Sequence, residues 1–237
     1  MRAPPRLRGG LAIRLGLLAV GLFLFAAGIV ALLESRLGLS PWDVLHQGLA
    51  RHTPLSFGAA NIAVSVLVVT VAWLLGARIG VATVANAVLV GSFVEVLSSL
   101  EWVAALAAEP LRVRVALLAA GLALMGAGTG LYLGADLGAG PRDSLMVVGA
   151  RRTPFRIGLV RAVLELGALG AGFALGGTVG VGTVAFAVAI GPSVELSFSL
   201  LERSPLALER APCDPDTRPA ACVVRGGHRS RAAWERA

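Results

Sequence analysis

Long stretches without a charged residue are the feature that most restricts how this chain of 237 residues can fold. The uncharged, mostly apolar runs lie at 15–33, 53–77, 79–94, 115–135 and 166–194. A helix needs about 20 apolar residues to cross a bilayer. The mean hydropathy of +0.79 is also typical of a membrane protein and not of a soluble one.

The last run contains Gly-Gly-Thr-Val-Gly at 176–180, which should break it into two spans. The sequence therefore predicts six membrane-spanning helices. Their centres are expected near residues 24, 66, 88, 124, 166 and 188. The first run follows several arginines, as a secretory signal would. We interpret it as a retained helix, because it is longer than the apolar part of a typical signal and a similar stretch recurs at 111–133.

The chain also contains an internal duplication. Residues 11–100 align with residues 111–200 without a gap, and 35 of the 90 aligned positions are identical. The identities include helix-breaking and polar residues: Gly38 and Gly138, Pro41 and Pro141, Asp43 and Asp143, Thr53 and Thr153, Glu95 and Glu195. Since each copy would hold three spans, the second must enter the membrane from the opposite side, which predicts an inverted-topology repeat.

Each copy has a short segment, 41–52 or 141–152, after its first span. Proline at the first helical position and aspartate at the third suit a helix N-terminus, where a carboxylate can accept backbone N–H bonds. Twelve residues make a helix of about 18 Å, roughly half the bilayer thickness. We expect re-entrant or interfacial helices here. If these segments crossed the membrane instead, the chain would have eight spans and parallel repeats.

The predicted fold is an all-α polytopic bundle of six spans plus two short helices. Its expected parts are a cytoplasmic tail at 1–10, membrane repeats at 11–100 and 111–200, a linker at 101–110, and a disordered basic tail at 201–237. The tail holds Cys213, Cys222 and His228, whose spacing is not that of a metal site, so we interpret the cysteines as unpaired thiols.

The arginine distribution indicates an orientation. All 21 basic residues are arginine, and with cytoplasmic termini 16 of them lie in cytoplasmic segments and 4 in external ones. Eight spans would give 17 and 3, so charge does not separate the two topologies. We expect a multi-pass protein of a bacterial plasma membrane. The pI of about 11.2 then indicates contact with anionic lipid at the cytoplasmic face, and not with nucleic acid.

Several stretches carry a family resemblance. LGLSPWDVLHQGLA followed by LSFG, and later LGAGPRDSLM and GVGTVAFAVAIGP, resemble the YczE-like branch of the YitT family of bacterial integral membrane proteins. The resemblance covers roughly residues 11–200. It implies a polytopic membrane protein but no particular reaction, because the family has no agreed molecular activity. The copies differ where Asn86 corresponds to Phe186, so they need not bind the same thing.

Polar side chains at membrane depth are costly and are the first candidates for function. Arg161 and Glu165 stand four residues apart on one face of the fifth span and can neutralise each other. They are either a structural pair or part of a substrate or proton site. The equivalent residues of the second span, Asn61 and Ser65, are also polar and would line the same cleft.

Helix capping is a sufficient structural role for Asp43 and Asp143. The functional alternative is that two half-helix N-termini meet near a pseudo-two-fold axis and bind a substrate, with Trp42 and Arg142 making the site asymmetric. The candidate substrate-binding residues are therefore Asp43, Asp143, Arg161, Glu165, Asn61, Ser65, Trp42 and Arg142.

These features favour a small-solute permease or exporter-like transporter with a central polar site between the repeats. The main alternative is a non-transporting accessory protein that assists another membrane complex. The sequence contains no recognisable nucleophile with its base, phosphate-binding loop or metal cluster, so we expect no enzymatic activity and no cofactor. An intramembrane enzyme would have to assemble its acid and base groups from Asp43, Asp143 and Glu165.

Overall fold

The computed structural model describes residues 10–204, and every regular element in that range is a helix. The α-helices are α1 (Leu11–Ser35), α2 (Pro41–His52), α3 (Phe57–Leu74), α4 (Val81–Ser98), α5 (Glu101–Ala105), α6 (Leu111–Gly134), α7 (Pro141–Arg152), α8 (Ile157–Ala174) and α9 (Val181–Arg203). A short 3-10 helix, Leu106–Ala108, follows α5.

Six of these helices, α1, α3, α4, α6, α8 and α9, are long and apolar enough to cross a membrane. The prediction of an all-helical fold with six helices that could span a membrane is therefore confirmed. The expected break at 176–180 falls between α8 and α9, and α9 continues to Arg203, past the predicted end of the second repeat. Most of the predicted tails at 1–10 and 201–237, namely residues 1–9 and 205–237 with Cys213 and Cys222, lies outside the described residues.

The short helices α2 and α7 have 12 residues each. Both begin with proline, directly after Ser40 in one case and Gly140 in the other. The Ser40 hydroxyl accepts the backbone N–H of Asp43 at 3.3 Å and so caps α2. At about 1.5 Å per residue, each helix covers roughly half of the apolar core of a bilayer.

The helices α1 and α6 form the centre of the bundle and cross through glycines. A Cβ added to Gly21 would lie 2.7 Å from the backbone nitrogen of Tyr132, and one added to Gly28 would lie 2.7 Å from the carbonyl oxygen of Gly121. Position 21 thus faces 132 while position 28 faces 121, so the two helices run antiparallel. Glycine is needed there because any side chain would force the backbones apart.

Loop contacts between the two halves are reciprocal. The backbone N–H of Ala82 donates to the carbonyl of Leu137 at 3.1 Å, and the N–H of Gly182 donates to the carbonyl of Leu37 at 2.7 Å. Positions 82 and 182 are equivalent in the two halves, as are positions 37 and 137, so the two bonds join equivalent positions in opposite directions. The short helices also cross over, since α2 packs on α8 and α7 packs on α3.

One helix pair of the first half has no packed counterpart in the second half. In the first half, α3 packs along α4, whereas the equivalent helices α8 and α9 do not pack in this way. The difference also appears in burial. Within the most apolar stretch of each helix, 39% of α3 and 33% of α4 is buried, against 11% of α8 and of α9.

Candidate functional site

A cavity of about 450 Å³ lies between the two halves of the bundle. Its volume is within the range of about 300–1,000 Å³ that is usual for small-molecule sites. Its polar lining consists of Ser40, Asn61, Ser65, Asn86, Thr129, Tyr132, Arg142, Asp143, Arg161, Glu165 and Glu195. The structure therefore contains a cavity with charged and polar groups in its lining, to which residues of both 11–100 and 111–200 contribute.

All but one of the eight candidate residues named from the sequence line this cavity. The seven lining residues are Trp42, Asn61, Ser65, Arg142, Asp143, Arg161 and Glu165. The eighth, Asp43, is completely buried directly behind the cavity wall. Its carboxylate lies 3.9 Å from the guanidinium of Arg142, so Asp43 acts on the cavity through that side chain.

The carboxylate of Asp43 is held by side chains, which corrects one detail of the sequence prediction. We expected it to accept backbone N–H bonds, but the Ser40 hydroxyl caps the helix and also donates to the Asp43 carboxylate. The imidazole Nδ1 of His46 lies 3.3 Å from Asp43 Oδ1. The polar neighbours of this carboxylate are thus the side chains of Ser40, His46 and Arg142, and each can be tested by mutation.

The equivalent carboxylate of Asp143 has different partners. This carboxylate lies beside Gly140, the residue that precedes α7. The hydroxyl of Tyr132 on α6 donates to it at 3.2 Å. Because Asp143 is only partly buried and lines the cavity, its carboxylate is available to a ligand, whereas that of Asp43 is not.

The N-termini of α2 and α7 meet at Trp42 and Arg142, which are equivalent positions of the two copies. The guanidinium of Arg142 lies over the indole ring of Trp42, 5.2 Å from the ring centre. A cation over an indole face is attracted by the ring's negative charge distribution. Arg142 therefore rests on Trp42 with Asp43 beside it, a contact that exists only between the two halves.

Arg161 and Glu165 form an ion pair on α8, with Nε and Oε1 2.8 Å apart. Their side chains are 38% and 33% exposed, and both reach the cavity. With Asp43, Arg142 and Asp143 they make up what we call the charged cluster, which holds two guanidinium groups and three carboxylates. Such a cluster can bind a polar group through either sign of charge.

His46 and Tyr132 are site residues that the sequence analysis missed. His46 is fully buried, and its Nδ1 lies 3.3 Å from Asp43 Oδ1 and 3.1 Å from the amide nitrogen of Asn61 on α3. One ring nitrogen either donates to the carboxylate or accepts from the amide, so only one of these contacts is a hydrogen bond at a time. The spacing of three residues between Asp43 and His46 on one helix was the available signal. Tyr132 had no such signal, because it belongs to a different helix from Asp143.

The two aspartates differ in acidity, and both lie in short helices outside the six spans. Burial by itself raises the pKa of Asp43, but the His46 hydrogen bond and the charge of Arg142 bring it below its ordinary value. Burial raises the pKa of Asp143 above its ordinary value, against the Tyr132 hydrogen bond and two arginines. Asp143 is therefore the easier of the two carboxylates to protonate.

Within residues 10–204, no group of three or more His, Cys, Asp or Glu side chains is placed to hold a metal ion. The chemistry offered by the cavity is that of hydrogen bonds, ion pairs and aromatic surfaces. These groups bind and orient a ligand.

The sequence of this chain is similar to a protein family and to individual proteins of other bacteria. The model of a family of unknown function, DUF6198, matches residues 12–198. An uncharacterized protein of Haemophilus influenzae is 36% identical over 193 residues, which cover 78% of this chain and 86% of that protein. The uncharacterized membrane protein YczE of Bacillus subtilis is 34% identical over 144 residues, which cover 58% of this chain and 63% of YczE. No solved structure matches.

The predicted resemblance to YczE is thus confirmed, and the wider placement in the YitT family stays a prediction. The match to a membrane protein agrees with the six apolar helices, so the chain is a membrane protein.

Proposed function

This chain belongs to the DUF6198 family, and we propose that it is a transporter that moves a small solute across a bacterial plasma membrane. The observation that carries the proposal is the cavity between the two halves, lined by charged and polar side chains from both. A cavity with charged and polar groups in its lining among membrane-spanning helices is costly to maintain unless something polar occupies it. Transport is the simplest use for such a cavity.

Two contacts support an inverted relation between the halves. Equivalent helices α1 and α6 run antiparallel, and the loop hydrogen bonds of Ala82 and Gly182 are exchanged between the halves. In many secondary transporters, two inverted repeats move against each other around a central site and expose it to one side at a time. We infer that the duplicated unit serves alternating access here.

The arginine distribution supports cytoplasmic termini, with anionic lipid along the cytoplasmic face. On this topology α2 enters from the outside and α7 from the cytoplasm. Their N-termini then meet near the middle of the membrane, where the positive ends of two short helices and Arg142 attract a polar or anionic group.

The test begins by finding the solute. Solutes retained by cells with and without the protein would be compared, and each candidate then offered to purified protein in liposomes. Arg142→Gln removes the cation that both halves hold, and the expected result is a roughly 10- to 100-fold loss of transport, corresponding to about 1.5–3 kcal/mol for a charged hydrogen bond.

Arg112→Gln is the matched control, because Arg112 is exposed at the start of α6 and far from the cavity lining. It should leave transport unchanged. If the protein moves no solute in cells or in liposomes, or if both arginine variants transport equally, the proposal fails. Loss of the cellular phenotype on deleting residues 204–237, with Arg142→Gln harmless, would instead support an accessory role.

A further inference from the structure

The helices α8 and α9 both line the cavity but do not pack together as their counterparts α3 and α4 do. In the first half, α3 and α4 cross at Gly58 and Gly91, where a Cβ added to Gly91 would lie 2.6 Å from the Gly58 carbonyl oxygen. The equivalent glycines, Gly158 and Gly191, have no such neighbour within 4 Å of an added Cβ. The same residue pair thus closes one helix crossing and leaves the other open.

This opening, which we call the α8–α9 gap, leads into the cavity. Gly158 and Gly191 on its two sides both belong to the cavity lining. The charged pair of α8, Arg161 and Glu165, lies on the same lining. A molecule that passes between the two glycines would therefore reach the charged cluster directly.

The gap faces lipid. On either side of it, α8 and α9 expose apolar side chains, among them Val163, Leu166, Val184 and Val188. Both helices are long and apolar enough to span the bilayer, so exposed valine and leucine on their middle turns lie against acyl chains. Entry through the gap is therefore entry from the hydrocarbon, and not from water.

The polar and apolar parts of the cavity lining suit a molecule that enters from the hydrocarbon. Four members of the charged cluster line the cavity, and they lie on α7 and α8, next to the polar Asn61 and Ser65 of α3. The other wall, from α1, α6 and α9, is mostly apolar, with Thr129, Tyr132 and Glu195 as its polar members. Its apolar members are Phe25, Met125, Phe186, Ile190, Val194 and Phe198. A ligand with a polar head and an apolar body would satisfy both walls, whereas a fully polar solute would leave the second wall uncovered.

We propose that the cavity takes a single-chain amphiphile from the bilayer through the α8–α9 gap, with its polar head at the charged cluster and its chain along the apolar wall. This rests on the proposed transport site and names its substrate class. The cavity of about 450 Å³ suits one chain with a small head better than a two-chain lipid. Gly158 and Gly191 keep the gap passable and are small enough to let it close as α3 and α4 do.

Trp42 makes the proposal measurable, since it is only 9% exposed and lines the cavity. Trp73 and Trp102 are exposed, and with Trp234 they would be replaced by phenylalanine to leave Trp42 as the only tryptophan. The full chain is placed in phosphatidylcholine vesicles that contain a lysophosphatidylcholine brominated on its acyl chain. Bromine quenches indole fluorescence at close contact, so we expect at least half of the Trp42 emission to be lost.

Leucine at the gap is the deciding variant. Gly158→Leu adds a side chain whose Cβ meets nothing within 4 Å, and it leaves every residue of the charged cluster in place, so quenching should fall at least twofold. Gly167→Leu is the matched control on the same helix, since Gly167 also has open space around it but does not line the cavity. Equal quenching in the two variants would overturn the route through the gap.

The remaining outcomes separate this inference from the proposed function. Quenching by acrylamide in water but not by the brominated amphiphile would overturn the substrate class and leave transport of a soluble solute standing. Absence of both kinds of quenching would show that the gap is covered, for example by a second copy, and would overturn the inference as well. Quenching as expected in a protein that moves no solute would retain the binding site and remove transport.

Discussion

Alanine at two equivalent glycines should have opposite effects on stability. Gly58 and Gly158 are both the second residue of their helices, α3 and α8. A Cβ on Gly58 would lie 2.5 Å from the carbonyl oxygen of Gly91 and 2.9 Å from the Cβ of Glu95, so α4 would have to move away. A Cβ on Gly158 would meet nothing within 4 Å.

The size of the difference follows from two terms. Overpacking a tight contact costs about 1–3 kcal/mol, and the clash with a backbone atom places Gly58→Ala in the upper part of that range. Alanine is better than glycine in a helix by up to about 1 kcal/mol, which both variants gain. Gly58→Ala should therefore lower the free energy of unfolding by about 1–2 kcal/mol, and Gly158→Ala should raise it by up to about 1 kcal/mol.

Thermal unfolding in a mild detergent, followed by circular dichroism, measures both changes. For a chain of this size about 1 kcal/mol corresponds to roughly 2–4 °C, so Gly58→Ala should melt about 2–8 °C lower. Gly167→Ala, in open space on α8, is the control for helix propensity alone. If Gly158→Ala destabilises as much as Gly58→Ala, then α8 and α9 pack together as α3 and α4 do, and the reasoning behind the gap is refuted.

Three further predictions concern the charged cluster and the topology. In a double-mutant cycle of thermal unfolding, the losses of stability in Arg161→Gln and Glu165→Gln should add up to more than the loss in the double variant. The expected difference is about 0.5–1 kcal/mol, and zero coupling would contradict the ion pair. His46→Ala should lower the free energy of unfolding by about 2–4 kcal/mol, because it opens a buried cavity and removes neighbours of a carboxylate, and a loss below about 0.5 kcal/mol would disprove those contacts. Single cysteines at Leu55 and Phe155, in a chain without its two native cysteines, should be labelled from opposite membrane faces, and labelling from one face would support eight spans.

The helices themselves were predictable because the information for each lies within its own segment. A backbone in lipid must satisfy its hydrogen bonds internally, so a long uncharged run has little choice but to become a helix. The starts of α2 and α7 were equally local, since proline at the first position follows a residue suited to the N-cap. Both short helices therefore have the predicted bounds.

The membership of the site was predictable in part. Polar residues in apolar surroundings pointed to Asn61, Ser65, Arg161 and Glu165, and all four line the cavity. The duplication suggested that the N-termini of the two short helices meet, but not which side chains pair there, and the structure places Arg142 beside Asp43. Tyr132 reaches Asp143 only because of how α6 and α7 are folded against each other.

The sequence by itself determined that the chain enters a membrane and where its helices lie, and it showed that residues 11–100 and 111–200 are similar to each other. Only the tertiary structure decided that one copy is closed and the other open, although both have the same pair of glycines. The physical reason is that helix packing in lipid depends on side-chain fit across a crossing. Ile62 packs over Gly91 in the first half, whereas the equivalent residue of the second half is Ala162 and nothing lies within 4 Å of a Cβ added to Gly191.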